Sequence, residues 1–190
     1  MSKNRERLLL AVIQNRVQFK NKSILHFSPE KHLYDFLKKQ TIISPVDILP
    51  GFYQSIERST AYADATSLLF KDESFEIVIA NHIMEHIPED IQAMKEIHRV
   101  LKPGGLAILQ VPYSEKLKKT IENPFINNPI EQEKLYGQKD HVRIYALNDY
   151  LSRLKTAGFK IEVLANPELE VYKVYAIQEN EKVFICYKEK

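Results

Sequence analysis

The chain has 190 residues, 44% hydrophobic and 27% charged, with 27 Lys and Arg against 25 Asp and Glu for a formal net charge of +2. That length suits a single domain with one core; the composition excludes a disordered or fibrous chain, and the charge is too small to signal nucleic acid by itself, so no nucleic-acid partner is expected. The lone cysteine, Cys186, excludes an internal disulfide and any paired-cysteine metal site, which fits a reducing compartment and an expected cytoplasmic location.

Residues 1–22 predict a basic amphipathic helix with Leu8, Leu9, Val12, Ile13 and Val17 apolar, packed on an edge of a sheet and shielding a pocket. Its apolar run, Leu8 to Ile13, is far short of the ~20 residues of a membrane span and lacks a cleavage pattern, so neither a signal peptide nor a membrane partner is expected. Ser23 to Phe27 predicts the first strand. Ser28 as N-cap with Pro29 at the first helical position opens a helix to about Lys39, with Leu33, Phe36 and Leu37 on its buried face. A strand running straight into a helix N-terminus is where a nucleotide-like cofactor binds. The junction His26-Phe27-Ser28-Pro29-Glu30 is therefore a candidate binding segment.

Ile42 to Asp47 predicts the second strand, with Pro45 restricting its pairing to one end. Asp47 falls at the carboxyl end, where a carboxylate can accept both ribose hydroxyl protons or can form a turn before Pro50-Gly51. A loop with Phe52 and Tyr53 leads to a short third strand, Thr60 to Ala63, and then to Asp64-Ala65-Thr66, where Asp64 can set a turn or cap a helix.

Phe75 to Pro112 is the most informative stretch. The adjacent Ile77, Val78 and Ile79 suit a strand covered on both faces. Pro88, Glu89 and Asp90 open a helix with Ile91, Met94, Ile97 and Leu101 on one stripe; Pro103-Gly104-Gly105 stop it, and Leu106 to Val111 is the next strand. Strand, helix and strand make a right-handed βαβ unit whose ligands sit beyond the strands' carboxyl ends, near Asn81 to His86 and Pro112 to Tyr113. His82, Glu85 and His86 also spell the H-x-x-E-H string of inverted zinc proteases. Two histidines four apart need a regular helix to share a metal, whereas these sit at a strand end with Pro88 close behind and no third ligand at short range. No metal is expected; His82 and His86 are placed in a cleft-lining loop, with His86 bonding a loop carbonyl as an equal alternative.

Residues 114–139 form a long polar insertion carrying Pro124, Pro129 and three asparagines, read as a lid or acceptor-binding loop within one domain spanning 1–190. The cluster Tyr136 to Tyr145 follows. His141 can act as a general base near neutral pH, with His82 nearby. Asp140 can orient His141 and Arg143 can hold an anionic group bidentately, with Tyr113 and Tyr145 as further acceptor contacts. Alternatively, a buried Asp140–Arg143 pair anchors the lid. A helix over 147–157 closed by Gly158, a strand over 159–164, a loop or helical turn over 166–175 and a final strand over 182–187 complete the chain. The Glu179-Asn180-Glu181 turn favours antiparallel pairing of the last two strands.

Taken together, Asn81-His82, Met84-Glu85-His86-Ile87 and the Arg99 to Gly105 corner resemble the core of class I S-adenosylmethionine-dependent methyltransferases, the type-11-like group. The resemblance runs over about Ser23 to Tyr187. It implies an α/β, doubly wound, Rossmann-like sheet of seven mostly parallel strands, helices on both faces and the last strand antiparallel. It also implies S-adenosyl-L-methionine as cofactor, with Glu30 at its methionine amino group, backbone near His26 to Ser28 beside it, Asp47 at the ribose, Asp64 with Ala65 at the adenine, and Asn81 and His82 in the cleft. The chain departs from the family at the first junction, where glycines are usual and none is present; it resembles a branch in which Pro29 fixes that turn. The string Gly137-Gln138-Lys139-Asp140-His141-Val142-Arg143-Ile144-Tyr145 resembles a signature of the same branch, placed in the acceptor pocket. The implied activity is methyl transfer to a small-molecule acceptor. The alternative is a non-catalytic protein of the same fold that binds an S-adenosyl compound or a partner protein.

Overall fold

The computed structural model describes residues 3–165, 168–170, 172 and 181–190. Its strands are β1 (Ser23–Phe27), β2 (Ile42–Asp47), β3 (Ala61–Tyr62), β4 (Phe75–Asn81), β5 (Leu101–Gln110), β6 (Tyr113–Ser114), β7 (Ile121–Glu122), β8 (Arg143–Ala146), β9 (Lys160–Leu164) and β10 (Val183–Tyr187). Its α-helices are α1 (Lys3–Arg16), α2 (Lys31–Leu37), α3 (Asp90–Val100), α4 (Pro129–Tyr136) and α5 (Leu147–Thr156). Seven strands form the main sheet in the order β3-β2-β1-β4-β5-β10-β9. The first five are parallel, and β10 is antiparallel to both its neighbours. This is the doubly wound sheet with an antiparallel last strand that the resemblance implies.

The continuous apolar runs follow from two covered faces. Ile24, Ile77, Ile79 and Ile108 point to one side, beneath Leu8, Leu9, Val12 and Ile13 of α1 and Leu33 and Leu37 of α2. Their sequence neighbours Leu25, Val78, Ala80 and Leu109 point to the other, against Met94 and Ile97 of α3 and Tyr150 and Leu154 of α5. Fully burying each such side chain contributes ~1.5–3 kcal/mol before entropy is set against it, so alternation would leave one helix layer without a partner.

Several boundaries differ from the sequence expectations, each for a local reason. The first helix ends at Arg16 rather than near Lys22 and covers a face of the sheet, not an edge. Ser28 is not the N-cap of α2: its φ of 46° is left-handed, and Glu30 occupies the cap position without a capping side-chain bond. The carboxylate of Glu6 on α1 serves instead, accepting from the backbone N–H of His32 at 2.9 Å and of Leu33 at 3.2 Å. Helix α3 stops at Val100, and Leu101 is already extended, so Pro103-Gly104-Gly105 lie inside β5. Gly105 is required there because a Cβ would sit 2.9 Å from the carbonyl oxygens of Glu76 and Lys102. Ile91 is only partly buried, and Ala93 and Val100 complete the buried stripe of α3. Strand β2 pairs with β1 over its length and with β3 only at Val46 and Asp47, so Pro45 restricts the outer edge alone.

The 114–145 insertion is ordered rather than structureless. Strand β8 pairs with β6 on one side and β7 on the other, and α4 starts at Pro129, with the Asn128 side chain accepting from Ile130 N–H at 2.9 Å. Most of the turn expected over 166–175, and Glu179-Asn180, lie outside the described residues. Among the described residues no helix is long and apolar enough to cross a membrane.

Candidate functional site

A cleft of about 900 Å³ opens at the carboxyl ends of β1, β2, β3 and β4, the position where doubly wound sheets bind their ligands. Phe27, Ser28 and Glu30 form one wall, Asp47, Ile48, Leu49 and Tyr53 the next, and Asp64, Ala65 and Thr66 the third. Asn81, His82, His86 and Asp140 close the far side. The structure thus brings together eight of the nine residues expected at a cofactor. The ninth, His26, is fully buried behind the wall and does not line the cleft.

The glycine-free junction is built by hydrogen bonds. Ser28 accepts a left-handed conformation that L residues adopt only at a cost of order 1 kcal/mol. Its N–H donates to the Val46 carbonyl at 2.9 Å, and its hydroxyl donates to Asp47 Oδ2 at 2.6 Å. Asp47 Oδ1 accepts from Leu49 N–H at 2.6 Å, so Asp47 both forms the turn and lines the cleft. Behind Pro29, Glu30 bridges two strands: Oε2 meets His26 Nε2 at 2.7 Å and Oε1 accepts from Asn81 Nδ2 at 2.9 Å. Asn81 Oδ1 is buried without a protein partner. On the third wall, Asp64 Oδ1 accepts from the N–H and hydroxyl of Thr66 at 2.8 and 2.7 Å, an Asx turn that still faces the cleft.

Tyr53 is a cleft residue to which the sequence reading assigns no role. Burial raises its hydroxyl pKa, opposed by the Ser28 hydroxyl and reinforced by the charge of Asp47. A phenol at the end of a single 3-10 turn over Pro50–Tyr53 carries no periodic signal, so nothing in the sequence could have singled it out.

The far side holds a histidine cluster. His82 has a left-handed φ of 54°, and its N–H donates to the Gln110 carbonyl at 2.7 Å. That turn aims Nδ1 at the buried Glu85, 3.3 Å away. His86 donates from Nδ1 to the Asp140 carbonyl at 3.0 Å, the loop-carbonyl bond named as its alternative role. His141 stacks edge-on against the His86 ring, 4.7 Å between centroids. It is buried and does not line the cleft. Burial lowers its pKa, helped by His86 and opposed by Glu85.

The remaining expected acceptor contacts are placed differently. Asp140 is exposed and pairs with His86 rather than orienting His141. Neither reading of Arg143 describes its geometry. It is buried, with Nη1 donating to the carbonyls of Met84 and Ile87, Nη2 to that of Pro88, and Nε to Glu122. It clamps the loop after β4 and leaves Asp140 untouched. Tyr145 is fully buried, and its hydroxyl donates to Asp90 Oδ2 at 2.5 Å. Tyr113 packs edge-on against Phe184 and is absent from the cleft lining.

Residues 34–109 match a family model described as the methyltransferase domain. Over these residues the chain is similar to that family. Its fold is the one shared by S-adenosylmethionine-dependent methyltransferases. Among curated relatives, demethylmenaquinone methyltransferase of Staphylococcus epidermidis is 43% identical over 47 residues, 25% of this chain and 20% of the relative. The 2-methyl-6-phytyl-1,4-hydroquinone methyltransferase of Synechocystis is 25% identical over 122 residues, 64% of this chain and 35% of the relative. The chain therefore spans only a fifth to about half the length of such relatives. Among solved structures, a chain of the Haloferax volcanii complex between the Trm112 methyltransferase activator and a methyltransferase superposes with a TM-score of 0.70 at 14% identity, over 97% of this chain and 90% of that one. Burkholderia thailandensis 1,6-didemethyltoxoflavin-N1-methyltransferase, solved with its acceptor and S-adenosylhomocysteine, gives 0.65 at 13% identity, over 100% of this chain and 79% of that one.

Proposed function

We propose that this chain is a methyltransferase that transfers a methyl group from S-adenosyl-L-methionine to a small-molecule acceptor. The observation that carries the reading is the cleft itself, with carboxylates Glu30, Asp47 and Asp64 at the ends of three strands along its wall. The fit is supported by the buried, unpartnered Asn81 Oδ1 and by the Ser28 turn, which holds backbone at the cleft wall where glycine is usual. The cofactor, when bound, supplies an activated methyl group on a sulfonium centre. Glu30 and Asn81 hold the ammonium end, Asp47 accepts the ribose hydroxyl protons, and Asp64 with Ala65 receives the adenine. These groups orient and desolvate, the main demand of a displacement whose leaving group needs no protonation.

Where the acceptor must lose a proton, His82 is the base. It lines the cleft and presents Nδ1 to the Glu85 carboxylate, which fixes the tautomer and leaves Nε2 as acceptor. His141, set behind His86, has no such access. The menaquinone, hydroquinone and toxoflavin compounds named for the similar proteins favour a small-molecule acceptor.

Calorimetric titration with S-adenosylhomocysteine tests the reading. Binding that weakens at least ~10-fold in Asp64→Ala and in Asp47→Ala is expected, about 1.4 kcal/mol each. A wild-type Kd weaker than about 1 mM overturns the reading.

A further inference from the structure

We infer that Glu85, His86 and His141 form a binding site for a first-row divalent cation of the zinc type, set in the wall of the cleft. One side-chain donor atom from each of the three lies within 4.8 Å of the other two. Ligands at ~2.0–2.1 Å around a tetrahedral ion stand roughly 3.4 Å apart, so binding draws the three donors together by up to about 1.4 Å. The three come from two segments far apart in sequence, the turn after β4 and the residues entering β8. They are joined by the Val142 N–H donating to the Glu85 carbonyl at 2.9 Å.

The decisive group is Glu85. Its side chain is buried, its Oε1 meets the His82 ring, and its Oε2 is buried with no hydrogen-bond partner. An unpaired carboxylate oxygen inside a protein is costly, and such groups are found paired or on metals. A donor atom of each of His86 and His141 lies within 4.8 Å of this carboxylate.

The chemistry around the two histidines also suits a metal. The Asp140 carbonyl can only accept, so His86 Nδ1 carries the proton and Nε2 keeps its lone pair. A ligating histidine ordinarily donates its other ring N–H to a carbonyl or carboxylate in this way. His141 is buried with its ring edge-on to that of His86, 4.7 Å between centroids. Two imidazoles and one carboxylate are a donor set for zinc or ferrous iron, and three protein ligands leave a fourth position for water. Glu85 Oε1 stays with His82, so the ion and the His82 pair share one carboxylate without competing.

The H-x-x-E-H spacing alone could not reveal this site. The third ligand follows His86 by more than fifty residues, and the first histidine of the string is not a ligand.

The test is cobalt and zinc titration of the tag-free, chelator-treated full chain, read by visible absorption and by calorimetry. One equivalent of Co2+ should bind and give the ligand-field bands of a low-coordinate site, and Zn2+ should displace it. Affinity should fall at least ~10-fold in Glu85→Gln, His86→Gln and His141→Ala, and be unchanged in His32→Ala, an exposed histidine elsewhere. His86→Gln keeps the test interpretable if a variant at a buried position fails to fold. Absence of a stoichiometric Co2+ spectrum, or affinity retained in folded Glu85→Gln and His86→Gln, overturns the inference. S-adenosylhomocysteine titrations of the same variants report on the methyl-transfer reading separately, since none of the three ligands is assigned to the cofactor.

Discussion

His98 shows how a single side chain ties packing to pH. It lies on α3, its ring edge-on to Phe159 at 5.1 Å and 3.1 Å from where a Cβ on Gly158 would stand. Burial lowers its pKa, the Lys188 charge adds to that, and a hydrogen bond with the Gly158 backbone opposes it. A histidine whose folded pKa lies below its unfolded value of ~6.5 binds fewer protons folded than unfolded in the window between the two. Its contribution is therefore complete above pH ~6.5 and is lost as pH falls toward the folded pKa. Melting temperature should drop between pH 7.5 and 5.5, and His98→Gln should make that drop smaller. His141, lowered in the same direction, contributes to the same slope. A slope unchanged in His98→Gln would show that the ring titrates as it does in the unfolded chain.

Gly105 makes a steric prediction at the same scale. Its φ is not left-handed, so the constraint is space: a Cβ meets two backbone oxygens at 2.9 Å, and neither belongs to a flexible side chain. Gly105→Ala should cost about 1–3 kcal/mol in denaturant unfolding, with β4 and β5 moving apart. The Lys-Pro-Gly-Gly corner reads in sequence as a helix stop. Its second glycine is there because two strands approach closely, which no local pattern reveals.

At the scale of elements, Arg143 joins the insertion to the sheet. Its guanidinium collects the carbonyls of Met84, Ile87 and Pro88, with Glu122 of β7 and Asp90 of α3 beside it. Asp90 and Glu122 also pair with Arg153 of α5. The loop that carries His82, Glu85 and His86 is thus held by β8, β7 and α5 together. Removing one partner of a buried charged network costs ~3–5 kcal/mol. Arg143→Met should lose about that much in urea unfolding, and Arg143→Lys should recover little of it, because an ammonium cannot serve three carbonyls and a carboxylate at once. Full recovery by lysine would mean that charge, not the planar fork, holds the loop.

Much of this level was legible in advance. The βαβ unit and the final antiparallel pair follow from apolar runs and turn residues, and the five parallel strands are what the family resemblance implies. The insertion was not, because β6, β7 and β8 are two to four residues long, too short for periodicity to register. The Arg143 clamp was hidden for a related reason. Its acceptors are backbone carbonyls, which every residue has, so an Asp-His-Val-Arg string looks the same whether the arginine faces a substrate or a loop.

At the scale of the whole molecule, the cleft is lined by segments from the ends of four strands and from the insertion, and these segments meet only in the folded state. Asp47, Asp64 and Glu30 are each visible in the sequence as a carboxylate after a strand. That their side chains share one 900 Å³ cleft depends on the β3-β2-β1-β4 order, which places strand ends in space in a sequence their chain order does not show. A ligand that needs all of these segments binds the native state and not the unfolded chain, so its binding free energy adds to stability. S-adenosylhomocysteine at 100 times its Kd should raise the unfolding free energy by about 2.7 kcal/mol. For a chain of this size, 1 kcal/mol moves the melting temperature ~2–4 °C, so the expected rise is roughly 5–11 °C in a thermal melt. Asp64→Ala should remove at least about half of the rise at the same ligand concentration while leaving the ligand-free melt within a few degrees, because its Asx turn spans only to Thr66. An equal rise in wild type and variant would place the ligand away from the third wall of the cleft. No rise in either would mean that the sheet keeps this architecture without using the cleft for an S-adenosyl compound.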